Sequence, residues 1–302
     1  MTQPRAPAVA VTGAGGFIGS HLCDHFRRLG WEVRALARDP SAATFREPGI
    51  RPFACVLPDT IPREAFAGAD LVVHCAYATR HRDLAQAGRI NDLGTRLLIG
   101  LTREARARFL FISSQSAHET AVSYYGRSKL ALEKLLAPAS DVAIRPGLVL
   151  GGGRAGLFTR MCESLRQSKV IPLFGGGRQP LQTVHIDDLC AAIGTVALRR
   201  MTGTYTVAEP VPIPMRGFLE LLAVRLGRRP IFVPLPMAPA YAAFRALEAM
   251  RIPFPVSSEN LLGLRQMRAV DTRRDLERLG VRARPAAESL DVIFPSRNGG
   301  SS

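Results

Sequence analysis

The sequence predicts an α/β protein with a Rossmann-like, doubly wound parallel sheet and a smaller C-terminal substrate-binding region. Three observations support this fold class. A short apolar strand at Ala8 to Thr12 leads into a glycine-rich turn, further apolar runs alternate with segments of helical periodicity, and this alternation stops after residue 150. Because parallel strands need crossover connections that are usually helical, the alternation indicates a sheet with helices on both faces.

The predicted elements of the sheet follow in chain order. Apolar residues at helical spacing from Phe17 to Leu29 predict the first helix, which Gly30 ends. Short apolar runs bounded by turn residues predict the later strands. These strands are Glu32 to Ala37, Arg51 to Val56, Asp70 to Cys75, Arg108 to Ser113 and Asp141 to Leu150. We therefore assign residues 1–150 to a dinucleotide-binding Rossmann domain.

Residues 151–302 are assigned to the smaller region, which we expect to be interleaved with the sheet. Three glycines at 151–153 begin it, and prolines and arginines interrupt the regular alternation. Helical patterns remain at Leu157 to Gln167, Ile186 to Arg199, Met215 to Leu226 and Ala238 to Met250. The last pattern is amphipathic, and three roles are open for it: peripheral membrane contact, a homodimer interface, or a lid over the substrate pocket.

Composition indicates an ordinary globular protein in a reducing compartment. Of the 302 residues, 47% are hydrophobic, which is enough for a large core. We find no signal-peptide pattern and no apolar run of transmembrane length. The five cysteines are widely spaced and contain no C-x-x-C pair. We expect a cytoplasmic protein with no metal site, since His21 and His25 have no further ligand at metal spacing.

The net charge of +15 does not select a partner. It comes almost entirely from arginines, which are spread along the chain and form no single basic tract. Such a positive field attracts anions in general. We expect a solvated basic surface and no nucleic-acid partner.

The glycine-rich turn predicts a site for the diphosphate of a dinucleotide. Glycines at 13, 16 and 19 have the spacing G-x-x-G-x-x-G between a strand and a helix. They allow a tight turn close to the pyrophosphate, whose charge is attracted by the free N–H groups and the dipole of the helix. The predicted cofactor-binding residues here are Gly13, Gly15, Gly16, Phe17, Ile18 and Gly19.

The end of the second strand favours NADP over NAD. A carboxylate at this position would bind the ribose 2′-hydroxyl of NAD, whereas an arginine suits the 2′-phosphate of NADP. Here Ala37 is followed by Arg38, and Asp39 comes only after it. We assign Arg38 to the cofactor site and expect NADP as the preferred cofactor, with NAD as the alternative.

A tyrosine and a lysine supply the predicted acid–base chemistry. Tyr125 and Lys129 are four residues apart in a helical pattern, so both lie on one side of the helix. Since a neighbouring cation favours the phenolate, we expect the pKa of Tyr125 to fall towards neutrality. Ser114 follows the fifth strand and is expected to donate a hydrogen bond to a substrate oxygen.

These residues resemble the extended short-chain dehydrogenase/reductase family, in its NAD-dependent epimerase/dehydratase group. Besides the two motifs above, the likeness includes Ala69 to Ala76, Asn91 to Thr95, Phe111 to Ser114, Ile144 to Gly147 and Val184 to Asp188. The resemblance implies that Tyr125 is the general acid or base, that Lys129 holds the nicotinamide ribose, and that Ser114 polarises the reacting carbonyl or hydroxyl. It also implies that Ala76 contacts the cofactor and that Asn91 serves either a proton relay or its helix.

The activity implied by the resemblance is hydride transfer to or from an alcohol or carbonyl carbon of a small molecule. An oxidoreductase, an epimerase and a dehydratase all fit, and a nucleotide sugar is one candidate substrate. Residues 179–183 lack the arginine that many nucleotide-sugar members carry before the Val184 motif, which weakens the sugar hypothesis. An aspartate, Asp187 or Asp188, is expected to cap the helix that follows His185.

A second function of a different class stays open. Residues 175–189 and the proline-rich stretch 234–264 are also similar to a branch related to a nucleotide-binding accessory subunit of respiratory complex I. This likeness implies a non-catalytic NADPH-binding accessory or assembly protein. The presence of Ser114, Tyr125 and Lys129 favours the enzyme.

Overall fold

A computed structural model describes residues 5–43, 45–79, 84–153, 156–250, 252 and 257–295. The strands within them form at short apolar runs, as expected for a sheet that is buried on both faces. They are β1 Ala8–Thr12, β2 Glu32–Ala37, β3 Arg51–Ala54, β4 Leu71–His74, β5 Arg108–Ile112, β6 Val142–Pro146, β7 Leu148–Leu150, β8 Val170–Phe174, β9 Pro180–Leu181, β10 Thr183–His185, β11 Gly203–Val207, β12 Ile213–Pro214 and β13 Ile231–Leu235.

The helices between the strands are amphipathic, with one apolar side facing a core. They are α1 Phe17–Arg28, α2 Leu84–Gly88, α3 Gly94–Glu104, α4 Tyr124–Glu133, α5 Leu157–Gln167, α6 Ile186–Leu198, α7 Met215–Arg225, α8 Met237–Ala249, α9 Ser258–Arg265, α10 Arg273–Leu279 and α11 Ala286–Ile293. Residues Arg89–Leu93, between α2 and α3, form a π-helical turn, which is a frequent feature of functional sites. No helix in the described part of the chain combines the length and apolar character needed to cross a membrane.

The central sheet has seven parallel strands in the order β11-β6-β5-β4-β1-β2-β3. The strand order reverses between β1 and β4, and ligands of such sheets bind beyond the carboxyl ends of the strands at this reversal. The register pairs Thr12 with Leu36 on one side and with His74 on the other. The turn after β1 therefore lies at the reversal, and the predicted Rossmann-like fold is confirmed.

The prediction of one continuous sixth strand, Asp141 to Leu150, is wrong. β6 belongs to the central sheet, whereas β7 pairs with β10. The change occurs at Gly147, where a Cβ atom would overlap the carbonyl oxygen of Gln182. The Gly147 N–H donates to the Val207 carbonyl at 3.1 Å, so a second strand holds this point from the other side. The predicted third strand is also too long, because β3 ends at Ala54.

Residues beyond 150 contribute to the central sheet as well as to smaller ones. β11 lies beside β6 in the central sheet, while β8 with β13 and β9 with β12 form separate strand pairs. On one face of the central sheet, Phe26 of α1 packs in the same core as Ile193 of α6. Leu98 of α3 lies in the core on the opposite face, and Phe218 of α7 lies in a third core in the C-terminal region. The division at residue 150 stays a prediction.

Candidate active site

The glycine turn is held by its own backbone and by close contact with the next strand. Gly13 has a φ of +68°, and the Gly16 N–H donates to its carbonyl at 2.9 Å. A Cβ atom on Gly13 would come within 2.7 Å of the Ala76 nitrogen, and one on Gly19 would overlap the Gly13 carbonyl. Only glycine at these two positions allows α1 to begin so close to β1 and β4.

A diphosphate fits the open side of this turn. Gly15 and Gly16 are exposed, and α1 begins with no side-chain cap and no acidic residue in its first turn. The first N–H groups of α1 and its positive dipole end are therefore available to an anion. On the flanks, Phe17 packs so closely against Gly151 that a Cβ there would lie 2.8 Å from the ring, and Ile18 packs against the core.

The tip of β2 carries an exposed arginine and an acid that is already engaged. Arg38 is exposed and forms no ion pair within the described residues. Asp39 accepts hydrogen bonds from the Ser41 hydroxyl at 2.6 Å and from the Ser41 N–H at 3.0 Å, and these bonds hold the pKa of Asp39 below its usual value. The carboxylate thus stabilises its own turn, while the Arg38 guanidinium is free to bind an anion.

A buried histidine that sequence reasoning did not single out connects the end of β1 to the start of α3. His74 Nδ1 lies 2.7 Å from Thr12 Oγ1, and its Nε2 lies 3.0 Å from Thr95 Oγ1. Thr95 donates its own proton to the Asn91 carbonyl at 2.5 Å, so it must accept from Nε2, and Thr12 must donate to Nδ1. Burial lowers the pKa of His74 to about 3, which keeps the ring neutral. The signal in the sequence was a histidine at the end of an apolar strand.

Asn91 holds the segment that follows β4. Its side-chain oxygen accepts from the Ala78 N–H at 2.7 Å, and its amide donates to the Ala78 carbonyl at 3.3 Å. The Ala76 N–H donates to Thr12 Oγ1 at 3.4 Å. These contacts give Asn91 a positioning role towards the chain around Ala76, at the edge where the cofactor is expected.

Tyr125 and Ser114 meet because α4 presses closely on the loop after β5. Ser123 caps α4 by accepting from the Gly126 N–H at 3.2 Å. A Cβ on Gly126 would overlap the Ser116 carbonyl, so the glycine beside Tyr125 permits this close approach. Ser114 Oγ accepts from the Ser116 N–H at 3.1 Å and shares a side-chain hydrogen bond with Tyr125.

The expected fall in the pKa of Tyr125 is wrong. Burial raises the pKa of Tyr125, and the hydrogen bond with Ser114 offsets this only in part. Lys129 Nζ lies 6.0 Å from the centre of the Tyr125 ring but only 4.0 Å from that of Tyr77. The sequence could not show this difference, because Tyr77 comes from the other side of the cleft.

Lys129 is itself strongly perturbed. It is buried, and its Nζ donates to the Ile112 carbonyl at 2.7 Å and lies 4.5 Å from the centre of the Phe111 ring. Burial lowers the pKa of Lys129 to about 7, although Cys75 and Glu133 act in the opposite direction. At neutral pH this amine can therefore gain or lose a proton.

Tyr77 is a second aromatic residue of the site that sequence reasoning missed. Its ring meets Tyr125 edge-on with centroids 5.5 Å apart, and its position over Lys129 adds a cation–π contact. Burial raises the pKa of Tyr77. Tyr77 follows Ala76 directly, so the same loop lines both the cofactor edge and the tyrosine pair.

The start of α6 differs from the expectation at one point. His185, and no aspartate, caps α6, because its Nδ1 accepts from the Asp187 N–H at 3.3 Å. Asp188 accepts instead from the Arg284 Nε at 2.9 Å. Gln182, in the stretch without an arginine, accepts from the Val270 N–H at 2.8 Å and so links this stretch to the chain after α9.

The profile of the NAD dependent epimerase/dehydratase family matches residues 9–208. The chain belongs to this family. Ceramide reductase of Caulobacter vibrioides is 32% identical to it over 233 residues, which are 74% of this chain and 67% of that protein. The family resemblance is thereby confirmed, together with a nicotinamide cofactor of the NAD or NADP type.

Two further similar proteins carry different names, one a subunit of NADH dehydrogenase and the other an epimerase family protein. NADH dehydrogenase (ubiquinone) 1 alpha subcomplex subunit 9 of Arabidopsis thaliana mitochondria is 25% identical over 281 residues, which are 87% of this chain and 69% of that protein. The crystal structure of human epimerase family protein SDR39U1 with NADPH covers 96% of this chain and 99% of its own, with a TM-score of 0.72 and 21% identity. This structural likeness supports the fold.

Proposed function

We propose that this protein is an NADPH-dependent reductase that converts a carbonyl group of a small molecule to an alcohol. The observation that carries the proposal is the contact between Ser114 and Tyr125 beside the buried Lys129. These groups stand at the carboxyl edge of the sheet, on the same side as the glycine turn. The nicotinamide, when bound, supplies the hydride.

The protonation states favour reduction. Because burial raises the pKa of Tyr125, its phenol keeps its proton at neutral pH and can donate it to a carbonyl oxygen. Ser114 polarises the same oxygen through its hydroxyl. After proton transfer, the Lys129 ammonium stabilises the Tyr125 phenolate. Because the pKa of Lys129 is about 7, the ammonium can then return a proton to Tyr125.

Arg38 supports the preference for NADPH. Its guanidinium is exposed and has no ion-pair partner within the described residues, so a 2′-phosphate would meet no competitor. Asp39, which in another orientation could favour NADH, is held by Ser41 and Ala42. The ceramide reductase relative supports a reduction as the reaction.

A non-catalytic accessory protein is the second candidate. It rests on the Arabidopsis complex I relative, whose match extends over 87% of this chain. In that case the same cleft would bind NADPH for structure, and the protein would be found within a larger assembly.

Replacement of Tyr125 by phenylalanine tests the proposal. We expect Tyr125→Phe to lower kcat with NADPH and a panel of ketones by about 1,000-fold, because it removes the proton donor. NADPH affinity should stay within about twofold. The neighbouring Tyr124→Phe is the matched control and should keep the wild-type rate. Full activity in Tyr125→Phe would contradict the assigned role, and wild-type protein that never turns over but co-purifies with a membrane complex would favour the accessory protein.

A further inference from the structure

The strand pair β8 and β13 forms a two-stranded ribbon outside the central sheet, which we call the ribbon. Its parallel register pairs Val170 with Ile231 and Pro172 with Val233. Successive residues of a strand point to opposite faces. The intervening residue Ile171 is buried in the C-terminal core, so the inner face of the ribbon is covered.

The outer face of the ribbon is apolar and exposed. Its side chains are Val170 (51% exposed), Pro172, Ile231 (65% exposed) and Val233 (37% exposed). Contiguous exposed apolar groups of this kind mark interaction surfaces, because the removal of apolar surface from water is favourable in free energy. The helix predicted at 238–250, with membrane contact as one of its three open roles, is α8, and its Phe244 packs against Phe174 at the end of the ribbon.

The edges of the ribbon are poorly suited to bind another strand. Pro172 in β8 and Pro234 in β13 each remove a backbone N–H donor. Prolines at sheet edges oppose the addition of a partner strand. A ligand of the ribbon therefore has to bind its face.

A cluster of cations stands where both strands of the ribbon begin. Its members, which we call the basic cluster, are Arg166, Lys169, Arg228 and Arg229, all of them exposed. The Ile231 N–H donates to the Lys169 carbonyl at 2.8 Å and so brings the two approaching segments together. No member forms an ion pair within the described residues, and residues 164–170 and 224–231 contain no acid.

We propose that the outer face of the ribbon docks on an anionic lipid bilayer. Its apolar side chains enter the boundary between head groups and acyl chains, while the basic cluster binds lipid phosphates. Interfacial binding grows with buried apolar area and with attraction to anionic lipids, and this surface offers both side by side.

A second copy of the chain fits this surface less well. In a symmetric dimer the same patch of both copies meets itself. Two basic clusters would then face each other, which is electrostatically unfavourable. A bilayer of anionic lipids instead compensates the charge.

Sedimentation with vesicles tests the proposal without any enzyme assay, so its outcome is independent of the proposed reductase activity. We expect wild-type protein to bind vesicles of mixed phosphatidylcholine and phosphatidylglycerol, less so at high salt, and to bind pure phosphatidylcholine weakly. The double variant Arg228→Gln/Arg229→Gln should bind the mixed vesicles about 30-fold more weakly, because each lost charge lowers the affinity about fivefold. Ile231→Thr, a β-branched substitution at an exposed site, should also weaken binding.

The controls make comparable changes away from the ribbon. Arg273→Gln/Arg274→Gln removes two exposed arginines at the start of α10, and Leu198→Gln replaces an exposed leucine at the end of α6. Both should bind as the wild type does. The proposal is overturned if the wild type does not bind the anionic vesicles, or if controls and ribbon variants lose binding equally. It is also overturned if light scattering shows a dimer that Ile231→Thr dissociates while vesicle binding is absent.

Discussion

The candidate cleft and the ribbon are built from different materials. In the cleft the backbone fixes the geometry, and Gly13, Gly19 and Gly126 stand where a Cβ atom would collide with neighbouring backbone. On the outer face of the ribbon, side chains form the surface, next to Arg228, which has no ion pair within the described residues. The difference teaches that a diphosphate site requires one backbone geometry, whereas a surface that contacts other partners depends on side chains, which can be exchanged without a change of the backbone.

The largest effect on NADPH affinity is expected at Gly19. A Cβ there would overlap the Gly13 carbonyl, so Gly19→Ala must displace the turn or α1. We expect a loss of about 100-fold in NADPH affinity and of about 2 kcal/mol in the free energy of unfolding. Titration of NADPH fluorescence and urea unfolding measure the two quantities.

Gly100→Ala is the control for that substitution. Gly100 lies in α3 with open space where its Cβ would be, and there alanine should stabilise the helix by up to about 1 kcal/mol. NADPH affinity should not change. If both glycine variants bound NADPH as the wild type does, the contrast between the cleft and the ribbon would be broken.

The next effect concerns the buried lysine. Between its folded pKa of about 7 and its unfolded value, Lys129 has lost its proton in the folded state and keeps it in the unfolded state, so stability rises with pH. Between about pH 6 and about pH 9 the wild type should gain about 3 kcal/mol relative to Lys129→Met. Urea unfolding at both pH values checks this. Lys134→Met, at an exposed position just after the same helix, keeps Lys129, so its difference in stability from the wild type should not change with pH. An equally constant difference between the wild type and Lys129→Met would refute the burial argument.

The smallest effect concerns cofactor choice. Arg38→Glu should lower the ratio of NADPH to NADH affinity by about 30-fold, because it replaces attraction to the 2′-phosphate by repulsion. Arg51→Glu makes the same charge change at the start of β3, the neighbour of β2, at the amino ends of these strands and away from Arg38, and should leave the ratio unaltered. Isothermal titration with both cofactors measures the ratio. An unchanged ratio in Arg38→Glu would remove Arg38 from the cofactor site.

Much of the sheet could be predicted because its signals are local. β1, β2 and α5 have the predicted bounds, since each is a periodic run ended by turn residues. The prediction of the sixth strand was wrong at Gly147, because its neighbour Gln182 comes from a distant part of the chain. The prediction of the α6 cap was wrong for a different reason, because a histidine such as His185 can accept a hydrogen bond as aspartate does.

The amino-acid pattern alone sufficed for the glycine turn, the spacing of Tyr125 and Lys129 and the family, because these depend on residues that are neighbours in the chain. The protonation of the site was decided only in three dimensions. Burial between β1 and α3 keeps His74 neutral, and packing against Tyr77 helps to shield Lys129 from solvent. Desolvation is exerted by whatever packs around a group, and in a fold of crossed-over strands those residues come from distant segments of the chain.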